Sequence, residues 1–247
     1  YSFHSNAESL QDTYENMYQT YSKIFERIGL VFRAVLADTG SIGGSHSHEF
    51  HVLADSGEDA IVFSTESDYA ANMEKAAALA PTDEAAAASA EMAELATPGV
   101  HTISELCAFI GTEAPQTLKA LIVSAENDEG ITQLYGLMVR GDHELNEVKA
   151  QHALGLSSEI TFATEEQIKT TLNCSPGSLG PVNLNLPMVV DHSAAQLSDF
   201  VCGANRDGYH LTGVNWTRDC GEFTVADIRN VVAGDASPDG KGVLEIK

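Results

Sequence analysis

The sequence predicts an α/β protein in which a mixed-sheet domain is inserted between two segments of an antiparallel-sheet domain. Segments with helical and strand periodicity alternate from about residue 102 to 215. An Ala/Glu-rich low-complexity stretch occupies 81–97, and strand-and-turn character returns at 224–246. We therefore divide the chain into three segments, 1–65, 66–217 and 218–247, of which the middle one is the inserted domain.

The first segment is predicted to form a helix followed by two antiparallel strands. Apolar side chains recur every 3–4 residues along 8–28, as in an amphipathic helix, and Gly29 ends that pattern. The apolar run 30–37 predicts a buried strand. The glycine-rich turn 40–44 then leads into a second strand at 47–53.

The inserted domain is predicted to open with a helix over 68–77 and to form a compact mixed α/β unit beyond the low-complexity stretch. A Gly/Pro loop covers 173–182. The other predicted elements are helices 102–110, 143–153, 164–172 and 193–197, and strands 118–124, 131–139, 159–163, 186–191 and 209–215.

Composition predicts a cytoplasmic protein with a substantial core. Hydrophobic residues make up 43 % of the 247 residues, and no apolar run approaches the roughly 20 residues of a membrane helix. The four cysteines form no CxxC pair and are expected to be reduced. No basic-then-apolar leader precedes the first helix. Because the chain begins at Tyr1 and ends inside a predicted strand, we expect a piece of a longer protein.

Several long motifs occur in a consistent order. They are 1–4 (YSFH), 38–51 (DTGSIGGSHSHEFH), 140–149 (RGDHELNEVK), 176–183 (PGSLGPVN) and 226–235 (ADIRNVVAGD). With these motifs the chain resembles bacterial-type prolyl-tRNA synthetase, a class II enzyme, essentially from end to end. The resemblance implies that 66–217 is the insertion domain, which hydrolyses mischarged alanyl-tRNA(Pro). The flanking segments would then be parts of the catalytic domain that joins proline to tRNA(Pro) with ATP.

The resemblance also implies the editing residues. Lys119 is expected to hold the phosphate or sugar of the terminal adenosine. The loop that contains Gly177, Gly180 and Pro181 matches the family's Gly-x-x-x-Pro pattern, and its glycines are expected to let backbone N–H groups of the loop converge on the ester carbonyl. The expected pocket residues are Thr97, Ser178, Leu179, Asp191 and His210. By residue type alone, Asp191 could equally cap a strand end, and His210 could be a half-buried sheet histidine. The resemblance implies no protein nucleophile, but a ribose hydroxyl of the tRNA that assists attack by water. Consistent with this, no Ser-His-Asp or Cys-His set is evident in the sequence.

A second set of residues resembles the proline pocket of the synthetase. It consists of Gly44, Ser45, His48 and Glu49. An alternative is a metal site formed by His46, His48 and His51, although strand alternation directs His51 away from the other two. The ATP-binding arginines of the class II motifs are missing, so ATP and Mg are expected to serve only the full-length ligase, and editing is expected to need no cofactor.

The net charge of −23 argues against a tight, autonomous tRNA binder. It is compatible with a domain that receives only the acceptor end of tRNA(Pro). The other expected partners are proline and ATP in the full-length enzyme, which is expected to be a homodimer with no membrane association. Three alternatives stay open. The first is editing of another small amino acid, which the bulky Arg206 and Tyr209 before His210 suggest. The second is a non-catalytic module that binds the acceptor end or stabilises the synthetase, and the third is a metal-dependent hydrolase.

Overall fold

The structure is a computed structural model that describes residues 1–40, 43–44, 46–54, 57–126 and 130–247. The chain separates into two compact units. The first comprises Tyr1–Ala76 with Val232–Lys247, and the second comprises Ala77–Val231. Within the described ranges, no helix combines the length and the apolar character that crossing a membrane requires. The mixed α/β class predicted from the sequence is confirmed, with several sheets.

The first unit contains one long helix and a five-stranded sheet. Its elements are α1 (Ala7–Arg27), β1 (Phe32–Leu36), β2 (His48–Val52), β3 (Ile61–Ser64), β4 (Ala70–Asn72) and β13 (Leu244–Ile246). The strand order is β13-β3-β4-β1-β2, antiparallel except for the parallel pair β1 and β4. The C-terminal strand therefore pairs with β3 of the N-terminal segment, with Glu245 opposite Phe63.

Helix α1 begins after Asn6, whose side chain accepts a hydrogen bond from the Ser9 N–H at 2.8 Å. Aromatic side chains connect it to the sheet, and the Phe25 and Phe50 rings stack at 5.7 Å. The predicted apolar stripe is only partly covered, since Leu10 and Met17 remain about half exposed. The bounds of α1, β1 and β2 lie within two residues of the predicted ones.

The helix predicted over 68–77 is wrong. Strand β4 occupies the middle of this range, between β3 and β1, and turns follow it. Ala70 and Ala71 are buried there, where small side chains fit between neighbouring strands. Alanine favours helices in isolation, but pairing with two strands and burial outweigh that preference.

The second unit contains two sheets and five helices in its described residues. The strands are β5 (Ala93–Ala96), β6 (Leu118–Glu126), β7 (Thr132–Arg140), β8 (Thr161–Phe162), β9 (Met188–Asp191), β10 (Phe200–Gly203), β11 (Tyr209–Val214) and β12 (Thr224–Ala226). The helices are α2 (Ile103–Ile110), α3 (Glu147–Leu154), α4 (Glu165–Leu172), α5 (His192–Ala195) and α6 (Trp216–Asp219). Short 3-10 turns cover Ala114–Gln116 and Pro176–Ser178.

The larger sheet has the mixed order β12-β9-β7-β6-β8, and the smaller one has the order β10-β11-β5. Alternation along β6 and β7 separates two apolar clusters. Leu118 and Met138 pack with Phe200 and Trp216 in one cluster, which joins the two sheets. On the opposite face, the second cluster is built from residues such as Val123, Val139 and Ile228. Strands β5 and β10 and the short helix α6 are absent from the predicted elements.

The unit boundaries lie later than the sequence places them. The predicted inserted domain begins at residue 66 and ends at 217, whereas the compact unit begins at Ala77 and ends at Val231. The later end has a clear cause, because Thr224–Ala226 pairs in parallel with β9 and Ile228 is fully buried in the second apolar cluster. The assignment of the segments to synthetase domains stays a prediction.

Candidate active site

A cleft of about 480 Å³ opens in the second unit beside the edge of β6. Its walls come from the start of α2, the first residues of β6, the loop after β7 and the loop around Gly177. Apolar side chains form most of the floor, and the charged or titratable side chains are few. The latter are His101, Lys119, Glu144 and His210.

Lys119 lies on β6 opposite Val139, and its ammonium is held in place at the cleft. Nζ donates to the carbonyl oxygen of His143 at 2.9 Å and to Glu144 Oε1 at 2.8 Å. The lysine side chain is 21 % exposed, whereas the Glu144 side chain is 74 % exposed. An ammonium has three N–H donors, so one is left for a ligand in the cleft.

His210 reaches the cleft from β11. Its Nδ1 lies 2.6 Å from Thr97 Oγ1, and both side chains are buried. Thr97 directly follows β5, the strand that pairs with β11. Burial, with a smaller contribution from the nearby His101, lowers the pKa of His210. The ring is therefore neutral near pH 7, and the contact with Thr97 fixes its orientation.

The loop at residues 177–180 forms another wall and is packed against neighbouring backbone. A Cβ at Gly180 would lie 2.0 Å from the Gly203 carbonyl oxygen, so only glycine fits. Asn205 fastens the loop, because its Oδ1 accepts from the Gly180 N–H at 2.9 Å and its Nδ2 donates to the Gly180 carbonyl at 3.0 Å. Within the part of the chain that the structure describes, the N–H groups of Gly177 and Leu179 donate to no residue outside the 3-10 turn Pro176–Ser178.

The pattern of the family described as aminoacyl-tRNA editing domain matches residues 97–220, half of the chain. The chain belongs to this family. The matched segment begins at Thr97 and contains both Lys119 and His210. The cleft therefore lies inside the editing domain.

Solved structures with low sequence identity resemble part of the chain. A protein described as a proposed trans-editing enzyme for prolyl-tRNA synthetase is 20% identical, over 57% of this chain and 87% of its own, with a TM-score of 0.44. A hypothetical protein is 21% identical over 57% of this chain and 92% of its own, with a TM-score of 0.47. An epitope scaffold made by backbone grafting is 19% identical over 57% and 88%, with a TM-score of 0.48.

The editing-domain residues expected from the sequence fall into two groups. Lys119, Gly177, Leu179 and His210 line one cleft, with Thr97 behind the histidine. Ser178, Gly180 and Pro181 are buried beneath the loop surface and support its shape. In particular, the Gly180 N–H is taken by Asn205 and is not directed at an ester carbonyl, contrary to its expected role.

Asp191 does not line the cleft and has the alternative role of a cap at a strand end. It ends β9, is 1 % exposed and accepts hydrogen bonds from the Ser193 N–H and Oγ–H at 2.9 and 2.5 Å. Arg229, also buried, lies 3.7 Å from the same carboxylate oxygen. The end of β9 directs this side chain into the interior, where Arg229 offsets the buried charge.

Asp191 is nevertheless connected to the cleft through a chain of contacts. Ser193 Oγ lies 3.0 Å from His143 Nδ1, and the His143 carbonyl accepts from Lys119. Arg140 Nη2 lies 3.0 Å from His143 Nε2, which must accept because guanidinium only donates. Burial, followed by the charges of Arg229 and Arg140, lowers the pKa of His143 and keeps the ring neutral. These contacts connect the Asp191 carboxylate, through Ser193 and His143, to the backbone carbonyl that holds Lys119.

Arg206 and Tyr209 lie outside the set of residues that lines the cleft. The Arg206 guanidinium stacks on the Tyr209 ring at 3.3 Å from its centroid and pairs with Glu94 of β5 at 2.9 Å. These contacts occupy both bulky side chains on the outside of the small sheet. They give no reason to expect a narrowed pocket.

In the first unit, the structure does not join the predicted proline-pocket residues into one surface. His48 Nδ1 lies 2.8 Å from the Tyr14 hydroxyl of α1, whereas Glu49, on the other face of β2, contacts His51 at 3.0 Å. Gly44 precedes the strand with φ of 112°, and Ser45 lies outside the described residues. Within the described ranges, no three His, Cys, Asp or Glu side chains gather as metal ligands, the histidines of 46–51 included.

Sequence reasoning missed three contributors to the site. His101 lies against Gly177, Asn205 fastens Gly180, and Glu144 holds Lys119. Glu144 lies within the RGDHELNEVK motif, whose resemblance identifies the family and assigns no role to this side chain. Its distance of 25 positions from Lys119 leaves no local pattern to detect.

Proposed function

We propose that this editing domain hydrolyses the ester bond of alanyl-tRNA(Pro). The observation that carries the proposal is the cleft that Lys119, Gly177, Leu179 and His210 line together. A cation, backbone donors and an oriented neutral imidazole are the groups that an ester at the end of a nucleic acid requires.

The size and lining of the cleft support a terminal nucleoside that carries a small amino acid. Its volume of about 480 Å³ falls in the range of roughly 300–1,000 Å³ typical of small-ligand sites. Leu106, Leu118 and Leu179 supply apolar surface. The aminoacylation site of a synthetase for proline can discriminate against alanine only through the methylenes that alanine lacks, each of which contributes about 1–3 kcal/mol of binding free energy. A second site, which hydrolyses the alanyl ester, is therefore needed for accuracy.

Water is the proposed nucleophile. The residues that line the described cleft include no serine or cysteine, and the Thr102 hydroxyl accepts from the Glu105 N–H at 3.2 Å as the cap of α2. Water adds to the ester carbonyl while a ribose hydroxyl assists, the carbonyl electron pair moves to oxygen, and the Gly177 and Leu179 N–H groups stabilise that oxyanion. The C–O bond to ribose then breaks, and the ribose oxygen receives a proton originating from the water.

We further propose that the chain is part of a bacterial-type prolyl-tRNA synthetase in the cytoplasm, with the acceptor end of tRNA(Pro) as its partner. The first unit would belong to the catalytic domain of a homodimeric parent. Proline, ATP and Mg would serve the full-length ligase only, and editing would need no metal. The basis is the motif resemblance at 38–63 and 226–235.

Deacylation of alanyl-tRNA(Pro) by the 247-residue chain tests this function, beside Lys119→Ala, Lys119→Arg and a prolyl-tRNA(Pro) control. We expect hydrolysis of the alanyl ester only, a loss of about 10-fold or more with Lys119→Ala, and partial retention with Lys119→Arg. Insensitivity to a chelator is also expected. Binding of the acceptor end without any turnover would contradict the proposal and favour a non-catalytic module, while hydrolysis of a different aminoacyl ester would contradict the alanine assignment.

A further inference from the structure

Glu144 is the carboxylate among the described residues that line the cleft. One of its oxygens, Oε1, accepts from Lys119 at 2.8 Å. The side chain is otherwise 74 % exposed, so Oε2 faces solvent at the cleft. The pair therefore presents one free N–H donor and one free carboxylate oxygen side by side.

The backbone that carries Glu144 is fixed. Its carbonyl accepts from the Asn230 N–H at 2.9 Å, and the neighbouring Asn146 N–H donates to the Ile228 carbonyl at 2.8 Å. Leu145 forms an isolated antiparallel bridge with Arg229 between these two bonds. The backbone of Glu144 is thus fixed, and the hydrogen bond from Lys119 to Oε1 restrains its side chain, which reduces the conformational freedom left to lose when a ligand binds.

The proposed substrate carries two kinds of charge. Its phosphodiester is an anion, and the α-amine of the esterified amino acid is protonated near neutral pH, with an ordinary pKa of about 7.7–8.0 for an α-amino group. Lys119 suits the anion and other acceptors. A carboxylate is the group that suits the ammonium, and hydrogen bonds between charged partners are about twice as strong as neutral ones.

We propose that Glu144 binds the protonated α-amine of the amino acid and so restricts the site to esters with a free amine. This assignment rests on the proposed deacylase function and adds the recognised group. If Glu144 only positioned Lys119, its effect on hydrolysis would not depend on whether the amino acid carries a free amine. Binding of the amine by Glu144 predicts that it does.

The test compares alanyl-tRNA(Pro) with N-acetylalanyl-tRNA(Pro), which has the same ester and no ammonium. The proteins are the full chain, Glu144→Gln and the matched control Glu147→Gln, an exposed glutamate at the start of α3. We expect the unaltered chain to favour the free-amine ester by about 10- to 100-fold in kcat/KM. Glu144→Gln should lose about 10-fold on that ester alone, and Glu147→Gln should match the unaltered chain.

Other outcomes overturn the inference in distinguishable ways. An equal loss of kcat/KM on both esters in Glu144→Gln would assign Glu144 to the positioning of Lys119. Equal values of kcat/KM for both esters in the unaltered chain would exclude recognition of the amine. Either result would leave the deacylase function intact. Hydrolysis of neither ester by the unaltered chain would remove the proposed function and this inference together. Thermal unfolding of each variant checks folding, and the exposure of Glu144 predicts little change in Tm.

Discussion

Thr97 Oγ1 and His210 Nδ1 lie 2.6 Å apart although 113 positions separate them in the chain. The antiparallel pairing of β5 with β11, with Leu95 opposite His210, brings the two residues together. Both are buried, so neither has ready access to bulk water as an alternative partner. The hydroxyl and the ring thus fix each other at the inner wall of the cleft.

Replacing Thr97 by Val tests this contact. The change keeps the side-chain shape but leaves His210 Nδ1 without a partner, which we expect to lower the free energy of unfolding by about 1–3 kcal/mol. Loss of ring orientation should also lower kcat/KM for alanyl-tRNA(Pro) by about 10-fold. Thr97→Ser keeps the hydroxyl and should behave nearly as the unaltered chain. Urea unfolding and deacylation rates measure both effects, and an unchanged Val variant would show that the contact is unimportant.

Gly180→Ala should be strongly disruptive. Its Cβ would meet the Gly203 carbonyl oxygen at 2.0 Å, so the loop and β10 must move apart. We expect about 1–3 kcal/mol or more of destabilisation, together with reduced deacylation. Gly221→Ala is the matched control, because nothing lies within 4 Å of the added Cβ there. Its effect should stay within about 0.5 kcal/mol in chemical unfolding, and equal effects of the two substitutions would contradict the close approach.

Asp191→Asn should reduce stability and weaken the support of Lys119. The substitution leaves the buried Arg229 without the carboxylate at 3.7 Å, and a broken buried ion pair costs about 3–5 kcal/mol. Glu94→Gln is the control. Its ion pair with Arg206 joins side chains that are 44 % and 52 % exposed, and such exposed pairs contribute about 0–1 kcal/mol. Urea unfolding of the two variants measures this difference, and a stable Asp191→Asn protein would contradict the buried charge pairing.

Stability should fall as the pH is lowered from about 7 to about 5. The pKa of His143 is lowered in the folded protein by burial and by Arg229 and Arg140. As the pH falls through about 6.5, His143 becomes protonated in the unfolded chain before it does so in the folded protein. The contribution of the neutral ring to the free energy of unfolding is therefore complete above about pH 6.5 and is lost as the pH falls toward the lower pKa of the folded state. The pKa of His210 is lowered as well, and it adds in the same direction.

Unfolding free energies measured across that pH range check the sign. His143→Gln should show a shallower pH dependence than the unaltered chain, because one group with a lowered folded pKa has been removed. His152→Gln, at an exposed position of α3, serves as the control and should keep the original slope. A slope unchanged by His143→Gln would exclude that residue as a source of the dependence.

The sequence by itself determined the α/β class, most elements of the second unit and the expectation of an editing domain, which the family match confirms. Helices such as α2 and α4 were predictable because capping residues and apolar periodicity act locally. Strands β6 and β7 were also predictable from local sequence, because each is a long apolar run and a turn separates the two runs. Among the residues that line the cleft, Lys119, Gly177, Leu179 and His210 were suggested by resemblance, and their roles stay predictions.

Only the tertiary structure decided which of those residues meet. It made β4 a strand in a segment of helix-forming alanines, directed Asp191 inward to Arg229, gave the Gly180 N–H to Asn205 and placed Glu144 against Lys119. Each of these outcomes depends on a partner distant in the chain. Local propensity and periodicity carry no information about such partners, because burial and hydrogen bonding are completed only when the sheets assemble.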